Sequence, residues 1–482
     1  MSLLKNPVAF AIILLSMIIG SSVLTRGHEW GDDFASYIMQ GQSIVNGSMD
    51  EFIQRNAFTI QESSFQIGPV AYPWGYPLFL TPALLLKGVH PLALKIPGLF
   101  FFSGFLVCFY LLIKERFNPI TTWLLLSVFA FNPMLIKFLD QILSDIPFLF
   151  LITLGLLLIS RLDDSKHSWR YFAVIGLCIF GAFFVRTTGV LLLASFMGFQ
   201  AIRFFRKPTL RKNIVTNTIV SVLVFITLWL VSSLLFPNGQ GSYLAQLKDL
   251  SYGVFVGNIR LYFYLFGSFF GDGKIWIFVY YVLVIFFLIG AWQNRLSDLH
   301  LIIFFVLYLF AMILWPEWQG PRFIFPLLPI FVYFVFQGTE SVIQLLHGSY
   351  SGLFSILTRV FWLIVIGIFL FGSGTLAYST LKDGRKISGP FDPFSMDVYN
   401  YIKTETRPNS VIVFHKPRAM RLFTGHDAVM ITDCDRLTLG DYVVINKKAE
   451  NSQIPPDEIG QCGITLTPVF ENRRFIVYQL PK

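Results

Sequence analysis

The sequence predicts a polytopic α-helical membrane protein with a small α/β domain at its C-terminal end. Three observations predict it. Hydrophobic residues make up 55% of the 482 positions and charged residues only 13%, about half the charge of a soluble domain. The apolar residues lie in long continuous runs, which selects helices over a β-barrel as the way to satisfy every backbone group in lipid. After about residue 381 the runs shorten to strand length. The mean hydropathy of +0.64 agrees with the first two.

A span needs roughly 20 apolar residues. On that scale the runs mark spans near 8–24, 92–113, 120–139, 145–160, 171–186, 187–204, 214–236, 275–292, 301–316, 323–337 and 360–378, about eleven in all. The first run follows Lys5 and resembles a secretory h-region, but no small-residue cleavage site precedes Asp32 and Asp33, so it reads as a retained span. The loops KERFNP (114–119), RLDDSKHSWR (161–170), RFFRKPTLRK (203–212) and QNRLSD (293–298) hold the basic residues and alternate correctly as cytoplasmic. The net charge of +9 is therefore a matter of membrane orientation, and nucleic acid is not an expected partner. The N-terminus is expected in the cytoplasm, and the tail outside the plasma (inner) membrane.

The tail, 381–482, reads as a separate unit from the membrane part, 1–380. Strand-like runs are SVIVF (410–414), AVMIT (428–432), DYVVIN (441–446) and RFIVYQL (474–480), with helical stretches at 394–406 and 417–425. Alternation of this kind suggests a small α/β fold. No nucleotide-binding glycine motif occurs in it. Cys108 and Cys178 lie in apolar runs and read as inert core thiols. Cys434 and Cys462 lie in the tail and can pair if it faces an oxidising compartment; spacing alone does not decide this.

With that topology, the unusual polar residues gather at the outer side. The first outer loop, 25–91, opens with GDDFASYIMQGQSI, placing Asp32 and Asp33 directly after the first span, with Tyr37, Gln40 and Ile44 at helical spacing from Asp33. Two helices lying flat on the membrane would account for the loop's length, and YPWGYPLFL (72–80) suggests a broken helix at the interface. Trp30, Tyr72, Trp74 and Tyr76 are expected at headgroup depth. A second acidic site is FLDQILSDIPF, where Asp140 and Asp145 stand between two spans; Asp145 before Ile-Pro also suits a helix cap. Arg186 interrupts a long apolar stretch, and Arg322 follows PEWQG at the mouth of a Pro-rich span. An arginine at such a depth is costly unless paired, and its fixed fork of donors suits a phosphate.

Carboxylates, guanidiniums and an amphipathic loop on one side fit transfer of a sugar from a lipid phosphate. An Asp would accept the acceptor's proton, and arginines would stabilise the departing phosphate. The motifs GDDFASYIMQGQSI, YPWGYPLFL, LSDIPF, VRTTGVLL and GPRFIFPLLP also stand in the order seen in a known class. The chain resembles, over roughly residues 1–380, the GT-C membrane glycosyltransferases, in the branch of the dolichyl-phosphate-mannose protein mannosyltransferases and the bacterial lipid A aminoarabinose transferase. The resemblance implies a GT-C-like fold and a polyprenyl-phosphate sugar donor. It implies a base at Asp32 or Asp33, a second acidic position at Asp145, and phosphate binding at Arg322, with Arg186, Tyr72, Tyr76 and Gln319 completing the candidate substrate-binding set. Asp-Asp stands where the class has Asp-Glu, and Tyr72 where the aminoarabinose branch carries a Lys. The tail differs from that of the protein mannosyltransferases.

The implied partners are the lipid-linked donor, membrane lipids and an acceptor glycan, lipid or protein. No cofactor is implied. A divalent metal is not readable from the sequence, since His28 beside Glu29 is too little for a site. The competing readings are a transporter or flippase for lipid-linked sugars, and a non-catalytic membrane scaffold. The sequence contains no internal repeat of the kind transporters carry.

Overall fold

Where an Asn, His or Asp precedes a proline, this chain starts a helix. The computed structural model describes residues 6–65, 67–239, 250–271, 273–317, 320–346, 349–449, 451–455 and 458–481. In it α1 (Pro7–Ser22), α5 (Pro91–Ile113), α6 (Pro119–Ala130) and α7 (Pro133–Phe138) each place a proline at the first helical position. The side chain before it (Asn6, His90, Asn118, Asn132) accepts from a free N–H of the first turn. Such a cap fixes the start, and the proline loses no hydrogen bond there. The rule also corrects an expected boundary. The run 120–139 is not one helix, because Asn132–Pro133 ends α6 and begins α7.

The other helices are α2 (Asp33–Asn46), α3 (Met49–Gln61), α4 (Gly75–Lys87), α8 (Asp145–Ser160), α9 (Trp169–Val185), α10 (Val190–Arg206), α11 (Arg211–Leu235), α12 (Tyr252–Ser268), α13 (Lys274–Gln293), α14 (Leu299–Ile313), α15 (Leu328–Leu345) and α16 (Ser349–Lys382). Six helices among the described residues are long and apolar enough to cross a membrane: α5, α10, α11, α13, α15 and α16. The apolar α1, α6, α8, α9 and α14 are shorter. Helix α12 was not expected within the outer segment 237–274. Its Asn258 donates to the carbonyls of Ile313 and Trp315 at 3.0 and 2.6 Å, closing the C-terminal end of α14. Helices α13 and α15 meet backbone to backbone. A Cβ on Gly290 would stand 2.0 Å from the Phe334 oxygen, and one on Gly338 1.9 Å from the Phe286 oxygen. Small residues are how apolar helices approach when no solvent drives them together.

Among the described residues the loop 25–91 holds α2, α3 and α4, the last beginning within YPWGYPLFL. Helix α2 is buried from Phe34 to Gly41, between α4 on one side and a helix of the tail on the other. The tail comprises α17 (Pro393–Glu405), β1 (Ile412–Phe414), α18 (Pro417–Thr424), β2 (Ala428–Val429), β3 (Tyr442–Asn446), β4 (Thr467–Glu471) and β5 (Phe475–Gln479). Its sheet runs in the order β2-β1-β3-β5-β4, with β1 parallel to β2 and β3 and the last three strands antiparallel. Strand β4 went unread in the sequence because it is largely exposed and shows no apolar alternation. Cys434 and Cys462 form a disulfide.

Behind the acidic turn, Lys95 of α5 is fully buried. Its ammonium donates to the carbonyls of Thr25 and Gly27 at 3.0 and 2.7 Å, to the Thr25 hydroxyl at 3.1 Å and to Asp140 at 2.6 Å. Asp140 also accepts from the Thr25 N–H at 2.6 Å. This knot fixes the exit of α1, and so the start of α2, against the turn that leads into α8. Breaking a buried pair from one side leaves an uncompensated charge, at about 3–5 kcal/mol. We expect Lys95→Met to lower stability by that order, and Lys95→Met with Asp140→Leu to recover much of it, in thermal unfolding of the purified protein in detergent. A single variant as stable as the wild type would refute the role.

Candidate active site

Asp32 and Asp33 are adjacent and share one cavity with Lys416 and Arg322, but only Asp33 also lines a second cavity. Asp33 is the first residue of α2 and is 27% exposed, into a cavity of about 390 Å³. Asp32 is 8% exposed, lies outside that cavity, and makes no capping bond despite its position. It sits toward the tail, near Lys416 and Arg418. The cavity volume falls within the range of small-molecule sites.

Four charges line its floor in alternation. Arg322, on the short 3-10 turn Pro321–Ile324, donates to Asp33 at 2.8 Å, and its other nitrogen is 3.9 Å from Asp145. Asp145 is 3% exposed at the start of α8 and also pairs with Arg186. Ser144 precedes that helix, so Asp145 is its first residue and not its cap. Arg186 ends α9 in an extended conformation, with its guanidinium 4.5 Å from the Phe323 ring centroid. Buried charges are stable only when so neutralised. Arg186, read from sequence as an interruption of a span, is thus central to the array.

Tyr72 donates to the second oxygen of Asp33 at 2.6 Å. The Gln40 amide holds its backbone on both sides, donating to the Tyr72 carbonyl at 2.9 Å and accepting from its N–H at 3.1 Å. Burial alone would raise the Asp33 carboxyl, but Arg322, the Tyr72 hydroxyl and the more distant Arg418 outweigh it and hold Asp33 below its ordinary range. Burial and the neighbouring Asp33 push Tyr72 well up, so it keeps its proton and remains the donor. Tyr37, one turn after Asp33, completes the wall with its hydroxyl 2.9 Å from that of Ser144. Glu317 lines the mouth.

Of the residues expected at the site, Asp33, Asp145, Arg186, Arg322 and Tyr72 come together around the cavity. Asp32 does not. Tyr76 does not line it either; it is 1% exposed, with its ring 4.9 Å from that of Tyr37. Gln319 lies outside the described residues. The aromatic residues of the first loop pack into protein: Trp30 against His415 at 4.9 Å, and Trp74 with its indole N–H donating to Pro237 at 3.0 Å. Asp140 serves the Lys95 knot. His28 uses both ring nitrogens, one with the Glu29 carbonyl at 2.7 Å and one with the Ile142 N–H at 3.0 Å. Tyr37 was legible only as a helical neighbour of Asp33, and Glu317 only as part of an outer loop.

No protein family and no curated protein matches the sequence. Solved structures do match in fold. ArnT from Cupriavidus metallidurans, in its apo state, is similar at 10% identity over 97% of both chains, with a TM-score of 0.59. ArnT from the same organism bound to undecaprenyl phosphate gives 0.58 at 11% identity, over 97% of both chains. The Archaeoglobus fulgidus oligosaccharyltransferase tethered with an acceptor peptide matches at 12% identity, over 93% of this chain and 70% of its own, with a TM-score of 0.61. This chain shares the fold of these proteins.

The outward aspartate gives a pH test. Burial, partly offset by Lys416 and Arg418, pushes the Asp32 carboxyl up to about 6. The unfolded chain releases that proton near pH 4. Between about pH 4 and 6 the folded state therefore holds the extra proton, and this group's contribution to stability falls as pH rises. We expect Asp32→Asn to gain on the order of 3 kcal/mol relative to wild type between about pH 4 and 7. Thermal unfolding of both chains across that range measures it. Burial pushes His28 and His415 down to about 3 in wild type, so the difference between the two profiles isolates Asp32. Parallel profiles would refute its burial as a charge-disfavouring one.

Proposed function

We propose that this GT-C-fold chain is an inverting glycosyltransferase that moves a sugar from a polyprenyl-phosphate donor to an acceptor hydroxyl on the outer side of the plasma (inner) membrane. The observation that carries the reading is the alternating array Asp33, Arg322, Asp145 and Arg186 around one cavity. A cavity with two arginines on its floor suits a phosphate. A carboxylate bonded to one of them suits a base. The similar ArnT bound to undecaprenyl phosphate and the oligosaccharyltransferase tethered with an acceptor peptide support this direction.

In this reading the donor phosphate exchanges with Asp33 on the Arg322 guanidinium, which frees the Asp33 carboxylate. The acceptor oxygen attacks the anomeric carbon from the face opposite the phosphate, and its proton passes to Asp33. The bond from the anomeric carbon to the phosphate oxygen breaks, and its electron pair leaves with the polyprenyl phosphate. Arg322 and Arg186 stabilise that charge. Asp145 keeps both guanidiniums in place, and Tyr72 orients Asp33. Residues 1–380 form the catalytic membrane domain and 381–482 an extracytoplasmic domain, with the N-terminus cytoplasmic. The disulfide Cys434–Cys462 is consistent with an oxidising side for the tail.

The test uses purified protein in nanodiscs with a panel of radiolabelled polyprenyl-phosphate sugars, following release of polyprenyl phosphate. Asp33→Asn is expected to bind the donor and lose about a hundredfold to ten-thousandfold in kcat. Arg322→Ala is expected to weaken donor binding as well, and Asp32→Asn to turn over. Turnover by Asp33→Asn at the wild-type rate would overturn the assignment of the base.

A further inference from the structure

The largest charged side chain buried without any exposure comes from the tail, far along the chain from the cavity it approaches. Arg418, in the first turn of α18, is 0% exposed. Its guanidinium donates to the carbonyls of Ile67 and Pro69 at 3.3 and 2.5 Å, and lies 5.7 Å from the Tyr72 ring centroid. Its Nε has no partner. No carboxylate forms an ion pair with it among the described residues. An arginine buried on backbone carbonyls and one tyrosine face is a costly arrangement for mere docking. The neighbouring Arg421 docks α18 in an ordinary way, on Asn56 at 3.0 Å and Thr59 at 3.4 Å.

What Arg418 holds is the segment that carries Tyr72. Gly68 stands between the two at φ +123°, where a Cβ would come 3.0 Å from the Tyr72 hydroxyl and 3.2 Å from Arg418 Nη1. The absence of a side chain there is what lets the guanidinium and the Tyr72 ring approach each other. Tyr72 in turn donates to Asp33. We infer that Arg418 is a positioning residue for the proposed glycosyl transfer: through Tyr72 it sets the orientation of Asp33, so that the tail completes the active site. This rests on Asp33 being the base in the reading above. The logic is that of any base aimed by a second group and steadied by a third. Other charged and titratable groups face Asp33 too: Arg322 from the 3-10 turn, Tyr37 from its own helix, Asp32 and His28 before it, and Lys416 from the tail, which lines a cavity with it. Of the two tail cations, Arg418 is the one that stacks on Tyr72.

The experiment compares Arg418→Gln, Tyr72→Phe, the double variant and Arg421→Gln in nanodiscs. The pH profile of kcat is read with a polyprenyl-phosphate sugar donor. Arg418→Gln is expected to move the acid limb of the profile to higher pH, because Asp33 loses support for its charged form. It should lose about tenfold in kcat, on the order of one hydrogen bond to a charged group, with donor KM unchanged. In kcat the double variant should lose no more than Tyr72→Phe alone, since Arg418 orients Asp33 through Tyr72, while the direct charge of Arg418 still bears on the acid limb. Arg421→Gln should lower thermal stability and leave the acid limb in place. An unmoved limb in Arg418→Gln, or full additivity of the kcat losses in the double variant, would overturn the inference. Gly68→Ala, which sets a methyl between Tyr72 and Arg418 and changes no residue of the tail, should reproduce the shift if Arg418→Gln fails to fold.

A readout independent of turnover separates the two claims. Infrared titration of the Asp33 carboxyl, taken as the difference from Asp33→Asn, should show protonation at higher pH in Arg418→Gln than in wild type. If no donor is turned over by wild type but the band moves, the transferase reading fails and the coupling stands. If turnover is present and the band does not move, the coupling fails and the transferase reading stands.

Discussion

The structure of the cavity depends on one constraint: a charge placed at the edge of an apolar helix bundle must find its opposite. Asp145 satisfies this for two arginines at once, and Arg322 satisfies it for two aspartates. The chain of pairs ties together the start of α2, the start of α8, the end of α9 and the 3-10 turn before α15. None of these is close to the others in sequence apart from α8 and α9. The geometry of the cavity is thus the geometry in which four charges cancel. Around it, neutral donors finish the work: Gln40 pins the Tyr72 backbone, and Tyr72 saturates the remaining oxygen of Asp33.

The same constraint explains how much could be read from the sequence. Asp145, Arg186 and Arg322 were legible because an isolated charge in an apolar run has few explanations. The helix starts were legible where a capping residue meets a proline. What distinguishes Asp32 from Asp33 was not, since both occupy the same local pattern and only the packing of α18 against α2 separates their surroundings. Lys95 and Arg418 were invisible for a related reason. Their partners lie at Thr25, Gly27 and Asp140 in one case and at Ile67, Pro69 and Tyr72 in the other, and no local period reports such distances. The break at Asn132–Pro133 was carried by the sequence, but the long apolar run around it outweighed the cap signal. Strand β4 failed for the opposite reason, having too little buried face to leave a pattern.

The tail packs on the first outer loop by polar contacts along its whole length. Arg55 meets Asp427 at 2.8 Å, Ser64 meets Asp433 at 2.9 Å, and Arg436 donates to the Glu62 carbonyl at 3.0 Å. The contacts of α18 with α2 lie in the middle of this surface. Helix α2 therefore owes its burial to both halves of the chain: α4 covers one side, and the tail the other. A helix buried on nearly every face needs cover from both sides.

The array of charges also imposes an order on biogenesis. Helices α8 and α9 follow one another, so Asp145 and Arg186 can enter the bilayer as a mutually neutralised hairpin while the ribosome is still far from the end of the message. Arg322 is made more than a hundred residues later, and Arg418 later again. Asp33, synthesised among the first, waits for both. A nascent chain in which the tail has yet to fold thus carries this acidic side chain without the packing of α18 against α2 that surrounds it in the folded protein.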